Sequence, residues 1–398
     1  MVTGLFVGPV IALFSYLISS ASSYGSAHRY LVFLLPIGAV FTYCTYQIFG
    51  GYQKFTSYAI SDINAIEESS DGERMPQGYV RLSPWMGVVN LFNSIISHSL
   101  GASVGKEGVG VQLGISSAVF LDSIEGRLRK KGSSLECYLM TGAAAAFGAL
   151  FQSPVAGTLF GMQFASPKFT RLDKLLPCLL ASFSATLVAD AIGIHVVTVP
   201  VYLPVIPSYA NYLRVIVFAI IVGLVTRLCC SLVEIVREKA ATIFKGNQMI
   251  TVLALATLLV IISFLTYVVE GDFKYNGLST ELITFSIFGQ TDIVDFILKF
   301  SFILISLAAG FQGGEVLPLL VSGSLLGGAI GPLLGLEQAS SAILGAIGML
   351  SGGTNLSLVC FALGMELFHY TEPTTLFIVA AASFVMSGKI GIYGGQKL

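Results

Sequence analysis

Long apolar segments constrain this chain more than any other feature of its sequence. Residues 4–23, 30–50, 215–233 and 250–269 each contain at most one charged residue. An α-helix of about 20 residues crosses the hydrocarbon core of a bilayer, which is about 30 Å thick. Charged residues make up 11% of the whole chain, against about 25% in soluble domains. The sequence therefore predicts an all-α polytopic membrane protein and excludes a soluble one.

Glycine-rich breaks that carry an acidic residue interrupt the apolar sequence at two places. The first covers residues 105–110 (GKEGVG), and the second covers residues 313–318 (GGEVLP). Each is followed further along the chain by a related short motif, residues 161–164 (GMQF) and 364–367 (GMEL). The correspondence predicts an internal repeat of two transmembrane halves that together form one membrane domain, residues 1–200 and residues 201–398.

The apolar segments that follow these breaks, residues 108–121 and 316–334, are predicted to be too short to cross the bilayer. Short, glycine-interrupted segments in corresponding places of two halves are the best sequence indication of a transport site near the bilayer midplane. The sequence therefore directs the search for a binding site to the two breaks.

Basic residues predict the orientation of the chain in the cell membrane. They cluster in three loops, residues 127–131, 168–174 and 237–245, whereas residues 270–290 contain three acids and one lysine. Loops rich in lysine and arginine remain on the cytoplasmic side of a membrane. We therefore expect a multi-pass protein of the plasma membrane with the three basic loops in the cytoplasm. The first apolar segment lacks a basic leader and a cleavage site, so we expect it to be retained as a helix.

Glu107 and Glu315 are the acidic residues of the two breaks. An ionisable group near the bilayer centre costs about 2.5–3.5 kcal/mol on insertion scales, so it is a functional candidate by default. A helix that begins at Gly108 would direct unpaired N–H groups toward Glu107 and form an anion site. A carboxylate there competes with the anion and releases the site when it is protonated. This predicts exchange of a proton for an anion; the alternative is that Glu107 pairs with Lys106 or caps a helix.

Several motifs resemble those of the CLC family of anion channels and proton-coupled antiporters. Residues 105–108 (GKEG) are similar to the family's Gly-Lys/Arg-Glu-Gly-Pro element, and residues 151–157 (FQSPVAG) to its Phe-Asn-Ala-Pro-Leu-Ala-Gly element. Residues 313–318 stand where the family has Gly-Gly-x-Phe-x-Pro. Residues 388–389 and Tyr393 look like the late element that bears the pore tyrosine. The elements follow the family order over most of the chain.

The resemblance implies a CLC-type inverted repeat of short, tilted and broken helices. It also implies a homodimer in the lipid bilayer, with a separate pathway in each subunit. Glu107 matches the family's external gate and proton acceptor. The resemblance also implies which residues bind the anion, because certain motifs of the family form its anion-selective filter. The implied anion-binding positions are Met75, Gly105, Gly108, Val109, Val316 and Tyr393. Val109 stands where the family usually has a proline.

Three departures from the family pattern make this chain similar to one branch of the family. Residues 72–76 (GERMP) replace Gly-Ser-Gly-Ile-Pro, so the anion-coordinating serine is missing and Met75 stands beside the proline. Gln163 and Phe164 occupy the positions of the internal proton-accepting glutamate and cannot titrate. Glu315 gives the third element the form Gly-Gly-Glu-Val-x-Pro of the fluoride-exporting branch. This resemblance implies a proton-coupled fluoride antiporter in which Glu315 is a candidate proton relay; the alternative for Glu315 is an outward-facing helix cap.

Two other functions remain open, an ordinary CLC-type chloride/proton exchanger and a passive anion channel. The expected partners are fluoride or chloride, protons, the bilayer and a second copy of the chain, with no nucleic acid. Nothing resembling a metal site or an activated nucleophile accompanies the two acids, so we expect no enzyme activity, no cofactor and no metal.

Three further polar residues lie in the apolar segments. Asn355 opens the second hairpin helix and either faces the anion path or caps that helix. Glu366 is expected to be structural, and His98 is expected to be a satisfied core residue.

Overall fold

The computed structural model describes residues 1–49, 60, 64, 83–128, 135–167, 172–194, 208–243, 247–388, 390–393 and 396. These residues form α-helices, short 3₁₀ turns and connecting loops. The helices before residue 200 are α1 Val2–Ala27, α2 Leu35–Ile48, α3 Pro84–Ser99, α4 Glu107–Leu128, α5 Leu135–Phe151, α6 Pro154–Gln163 and α7 Leu175–Ala191. Those after residue 207 are α8 Tyr209–Ile243, α9 Gln248–Glu270, α10 Glu281–Ile287, α11 Ile293–Ala308, α12 Val316–Ile330, α13 Gln338–Thr354, α14 Ser357–Leu367 and α15 Pro373–Ser387.

Six helical segments of the described chain are long and apolar enough to cross a membrane. They include α1, α8 and α9, as the apolar runs predict, and large apolar side chains such as Leu187 and Val269 lie exposed on the outer surface. The prediction of an all-α polytopic membrane protein is confirmed.

One predicted segment length was wrong. The segment Val316–Leu334 is long and apolar enough to span, since a 3₁₀ turn extends α12 beyond its last α-helical residue. Helix α4 has 22 residues because the polar residues after Leu121 remain helical, but it is not one of the six segments that are apolar enough to span. Helix α4 begins at Glu107, one residue before the predicted start, which is the usual uncertainty of a helix end.

Close helix crossings surround the two breaks. A Cβ atom on Gly142 of α5 would lie 2.8 Å from the carbonyl oxygen of Gly114 in α4, and one on Gly345 of α13 would lie 2.3 Å from that of Gly323 in α12. Only glycine permits such approaches, which small residues make possible between membrane helices. Each helix that follows a break is therefore fixed against the next helix of its own half.

A left-handed residue connects the two helices of each following hairpin. Gln152, with φ of 52°, lies between α5 and α6, and Asn355, with φ of 61°, lies between α13 and α14. Asn355 is the C-cap of α13, and Leu356 occupies the N-cap position of α14, so the alternative of an N-cap at Asn355 does not hold. The same left-handed connection thus occurs in the helical hairpins that follow the two breaks.

Candidate functional site

The two acid-bearing breaks lie side by side. The N–H of Gly105 donates to the carbonyl oxygen of Gly314 at 2.9 Å, and the N–H of Gly314 donates to that of Gly105 at 2.6 Å. A Cβ atom on Gly314 would lie 2.2 Å from the backbone nitrogen of Gly108. The glycines therefore permit a backbone contact that brings the N-termini of α4 and α12 together.

Glu107 lies at this junction with 2% of its surface exposed. Its Oε2 atom accepts a hydrogen bond of 3.3 Å from the N–H of Leu317, in the first turn of α12. The backbone N–H groups of Lys106 and Glu107 also face the carboxylate, and the adjacent Lys106 attracts it electrostatically. The carboxylate of the first break thus accepts a hydrogen bond from an N–H at the N-terminus of α12, which is a position that suits an anion.

A cavity of about 430 Å³ reaches Glu107. Its wall includes Lys106, Leu317 and Phe151, together with Leu278 and Thr280 of residues 271–280, the loop between α9 and α10. The carboxylate therefore has a route toward the side of the protein that carries this loop.

Glu315 directly follows Gly314 of this contact and lies immediately before α12. It is 2% exposed, and its side chain makes no capping hydrogen bond to α12. The neighbouring Val316 and Val109 are buried as well. Tyr393, which is 4% exposed, lies near enough to interact electrostatically with both Glu315 and Glu107. The structure therefore gathers two acids and the tyrosine in one buried region.

The chain around Tyr393 is held by contacts with both halves. The N–H of Ile392 donates to the carbonyl oxygen of Gly353 at 2.7 Å, and the ring of Tyr393 packs edge-on against Phe164 at 6.0 Å. Phe164, one of the two residues expected at the position of the internal proton-accepting glutamate, thus makes an aromatic contact with Tyr393.

Gln396 was missed by sequence reasoning. Its Nε2 atom donates to the carbonyl oxygens of Phe164 at 3.3 Å and Thr354 at 3.0 Å, and its Oε1 atom accepts from Asn355 Nδ2 at 3.2 Å. Asn355 is therefore bonded to Gln396 beside the Tyr393 segment. The only sequence signal for Gln396 was its position three residues after Tyr393.

Two of the polar residues from the sequence serve different local roles. Glu366 of α14 accepts hydrogen bonds from the N–H groups of Val155 at 2.9 Å and Ala156 at 2.8 Å, so it caps α6 from the other half of the chain. His98 is buried, and its Nδ1 atom contacts the carbonyl oxygen of Ser94 at 2.7 Å.

Met75 and the rest of residues 72–76 lie outside the described residues.

The fold and this junction define an all-helical membrane protein in which the N-termini of two broken helices enclose a buried carboxylate. The sequence model of the voltage gated chloride channel family matches residues 37–388. The chain therefore belongs to this family, the CLC family of anion transporters.

Known relatives agree with this membership. A chloride/fluoride channel protein of Pseudomonas syringae pv. tomato is 29% identical over 99% of this chain and 84% of its own length. The crystal structure of a CLC-type fluoride/proton antiporter superposes with a TM-score of 0.85 at 26% identity, over 100% of this chain and 96% of that one. A slow cyanobacterial Cl⁻/H⁺ antiporter has the same fold, with a TM-score of 0.77 at 18% identity over 98% of this chain and 94% of that one.

Proposed function

We propose that this protein is a proton-coupled antiporter that exports fluoride from the cell. The observation that carries the proposal is the Glu107 carboxylate, which accepts the N–H of Leu317 at the start of α12. A transported anion would need the same donor. Carboxylate and anion therefore compete for one site, and the carboxylate can be displaced once a proton neutralises it.

The exchange follows from that competition. A proton that arrives through the cavity at Glu107 binds its carboxylate, which then loses its charge and no longer attracts the backbone donors. Fluoride takes those donors as the protonated side chain leaves. When the proton moves inward, the carboxylate regains the site and displaces fluoride outward. One titratable group thereby links the two fluxes in opposite directions.

Glu315 is proposed as the proton-relay residue between Glu107 and the cytoplasm. Gln163 and Phe164 cannot carry a proton, whereas Glu315 directly follows Gly314 of the backbone contact, is buried and makes no capping hydrogen bond to α12. The Tyr393 hydroxyl lies within electrostatic range of both acids and can donate to an anion between them.

Fluoride is favoured over chloride for three reasons. It is a small, strong hydrogen-bond acceptor, so backbone donors and one hydroxyl can hold it without a filter serine. The first filter element has Met75 and no serine, and the second break contains Glu315 followed by valine. Two relatives that span nearly the whole chain are named for fluoride.

A chloride/proton exchanger is the second candidate, and a passive channel is the third. The chloride/proton exchanger is supported only by the fold that this chain shares with the cyanobacterial antiporter. The passive channel is supported by the name of the Pseudomonas relative, which is called a channel protein. Proteoliposomes loaded with equal fluoride and chloride distinguish the candidates. A fluoride antiporter releases fluoride preferentially, and its reversal potential shifts with the pH gradient; chloride-selective release or a reversal potential insensitive to pH refutes the proposal.

The proposal includes the expected assembly and orientation. The protein acts as a homodimer in the plasma membrane, with the basic loops at 127–131, 168–174 and 237–245 in the cytoplasm. Its halves, residues 1–200 and 201–398, are related as an inverted repeat, which is supported by the antiparallel contact of the two breaks and by the matching Gln152 and Asn355 junctions.

A further inference from the structure

Lys299 of α11 is a buried lysine that faces only neutral oxygen atoms. It is 1% exposed. Its Nζ atom donates to Ser103 Oγ at 2.7 Å and Ser279 Oγ at 2.9 Å. It also donates to the backbone carbonyl oxygens of Tyr275 at 3.0 Å and Gly277 at 2.9 Å. The three N–H donors of an ammonium group are shared among these four oxygens, and a shell of acceptors suits the charged form, which has no acceptor of its own.

The expected counter-ion of Lys299 is directed elsewhere. Asp295 precedes it by four residues, a spacing that favours an ion pair on a helix. Asp295 Oδ1 instead accepts from the Tyr275 hydroxyl at 2.7 Å and pairs with Lys274 at 3.0 Å, and Oδ2 accepts from the N–H of Asp292. No acid in the described part of the chain lies within ion-pair distance of Lys299. A buried charge without a carboxylate partner is costly, so its retention calls for a function.

The contact with Ser103 connects this charge to the first break. Ser103 precedes Glu107 by four residues, and its N–H donates to Ser306 Oγ at 3.0 Å. The N–H of Gly277 donates to the carbonyl oxygen of Gly101 at 2.9 Å. Residues of the second half therefore hold the segment before Glu107 in place, and Lys299 lies at the centre of these contacts.

We propose that Lys299 is a positioning residue of the anion pathway whose buried charge is balanced by the transported anion. This inference rests on the proposed function, because it assigns the anion as the counter-ion. The ammonium fixes Ser103 and the outer loop around Tyr275, Gly277 and Ser279, and its charge raises the occupancy of the nearby site by anions. The contact with Ser103 joins this charge to the first break through buried protein, where charges are screened little, so we expect its removal to lower anion occupancy on the order of tenfold.

The test separates the charge from the hydrogen bonds. Lys299→Gln keeps donors but removes the charge, whereas the matched control Ser279→Ala removes one acceptor and keeps the charge. Initial fluoride efflux from proteoliposomes is measured against internal fluoride concentration with an ion-selective electrode. We expect Lys299→Gln to raise the half-saturating concentration about tenfold with a maximal rate within about twofold of wild type, and Ser279→Ala to stay near wild type. Equal half-saturation in Lys299→Gln and wild type, or a change in maximal rate alone, overturns the inference.

A second variant keeps the test available if Lys299→Gln does not fold. Ser103→Asp retains Lys299 and gives it a carboxylate partner, which neutralises the local charge. The same rise in half-saturating concentration is expected, and an unchanged value overturns the inference. The wild-type protein distinguishes failure of this inference from failure of the proposed function. If the wild type exchanges protons for chloride, fluoride export is refuted. The same variants measured with chloride then still test the role of Lys299.

Discussion

Replacing Gly314 with alanine tests whether the close contact of the two breaks is required for transport. The added Cβ would lie 2.2 Å from the backbone nitrogen of Gly108, where ordinary contact begins at 3.4 Å. The backbone at the start of α4 must therefore retreat by about 1 Å, which also displaces Glu107 from Leu317. Overpacking of this kind costs about 1–3 kcal/mol, and a misplacement of about 1 Å at a functional site can reduce its rate on the order of 100-fold.

Gly38→Ala is the matched control. Its Cβ would also meet an atom at 2.2 Å, but that atom is Leu100 Cδ1, the end of a flexible side chain. Both variants are purified and compared in monodispersity and in fluoride efflux from proteoliposomes. We expect Gly314→Ala to remain folded and lose transport, and Gly38→Ala to transport normally. Wild-type efflux by Gly314→Ala would refute the idea that the paired breaks form the site.

Three further predictions concern individual side chains. Glu315→Gln should lose or uncouple transport while remaining folded; wild-type fluoride and proton fluxes, measured side by side, would exclude a relay role. Met75→Ser restores a hydroxyl beside the filter proline and should raise chloride efflux relative to fluoride; an unchanged ratio in active protein would place selectivity elsewhere. Glu366→Gln loses one of the two bonds to the start of α6 and its negative charge there, so thermal unfolding in detergent should show a destabilisation of about 1–2 kcal/mol. An unchanged melting temperature would show that the cap is not required for stability.

Hydropathy and glycine spacing predicted the features of this protein that depend on local sequence. The apolar runs became membrane-length helices, because a bilayer requires all backbone hydrogen bonds to be satisfied internally. The two acid-bearing breaks were also found, because glycine and an ionisable residue are both unusual in such segments. The sequence therefore predicts Glu107 and Glu315 as site residues, whereas the contact between their two breaks depends on the fold.

Contacts between distant segments could not be read from the sequence. Glu107 was expected at the start of its own helix, but its carboxylate also accepts from α12, 210 residues further along the chain. Glu366 was expected to be structural, yet nothing in its motif indicated α6 as its partner. Lys299 follows Asp295 at the spacing of a helical ion pair, and only the fold shows that Lys274 and Tyr275 take that acid.

Proton movement driven by fluoride in Glu107→Gln vesicles tests the central claim most directly. Proteoliposomes are loaded with fluoride and diluted into fluoride-free buffer, and the internal pH is followed with a trapped dye. Wild-type protein is predicted to acidify the lumen, even against an opposing proton gradient, as fluoride leaves. Glutamine mimics the protonated side chain and cannot release a proton, so the variant is predicted to produce no coupled acidification. Wild-type acidification by Glu107→Gln would contradict the assignment of Glu107 as the coupling residue.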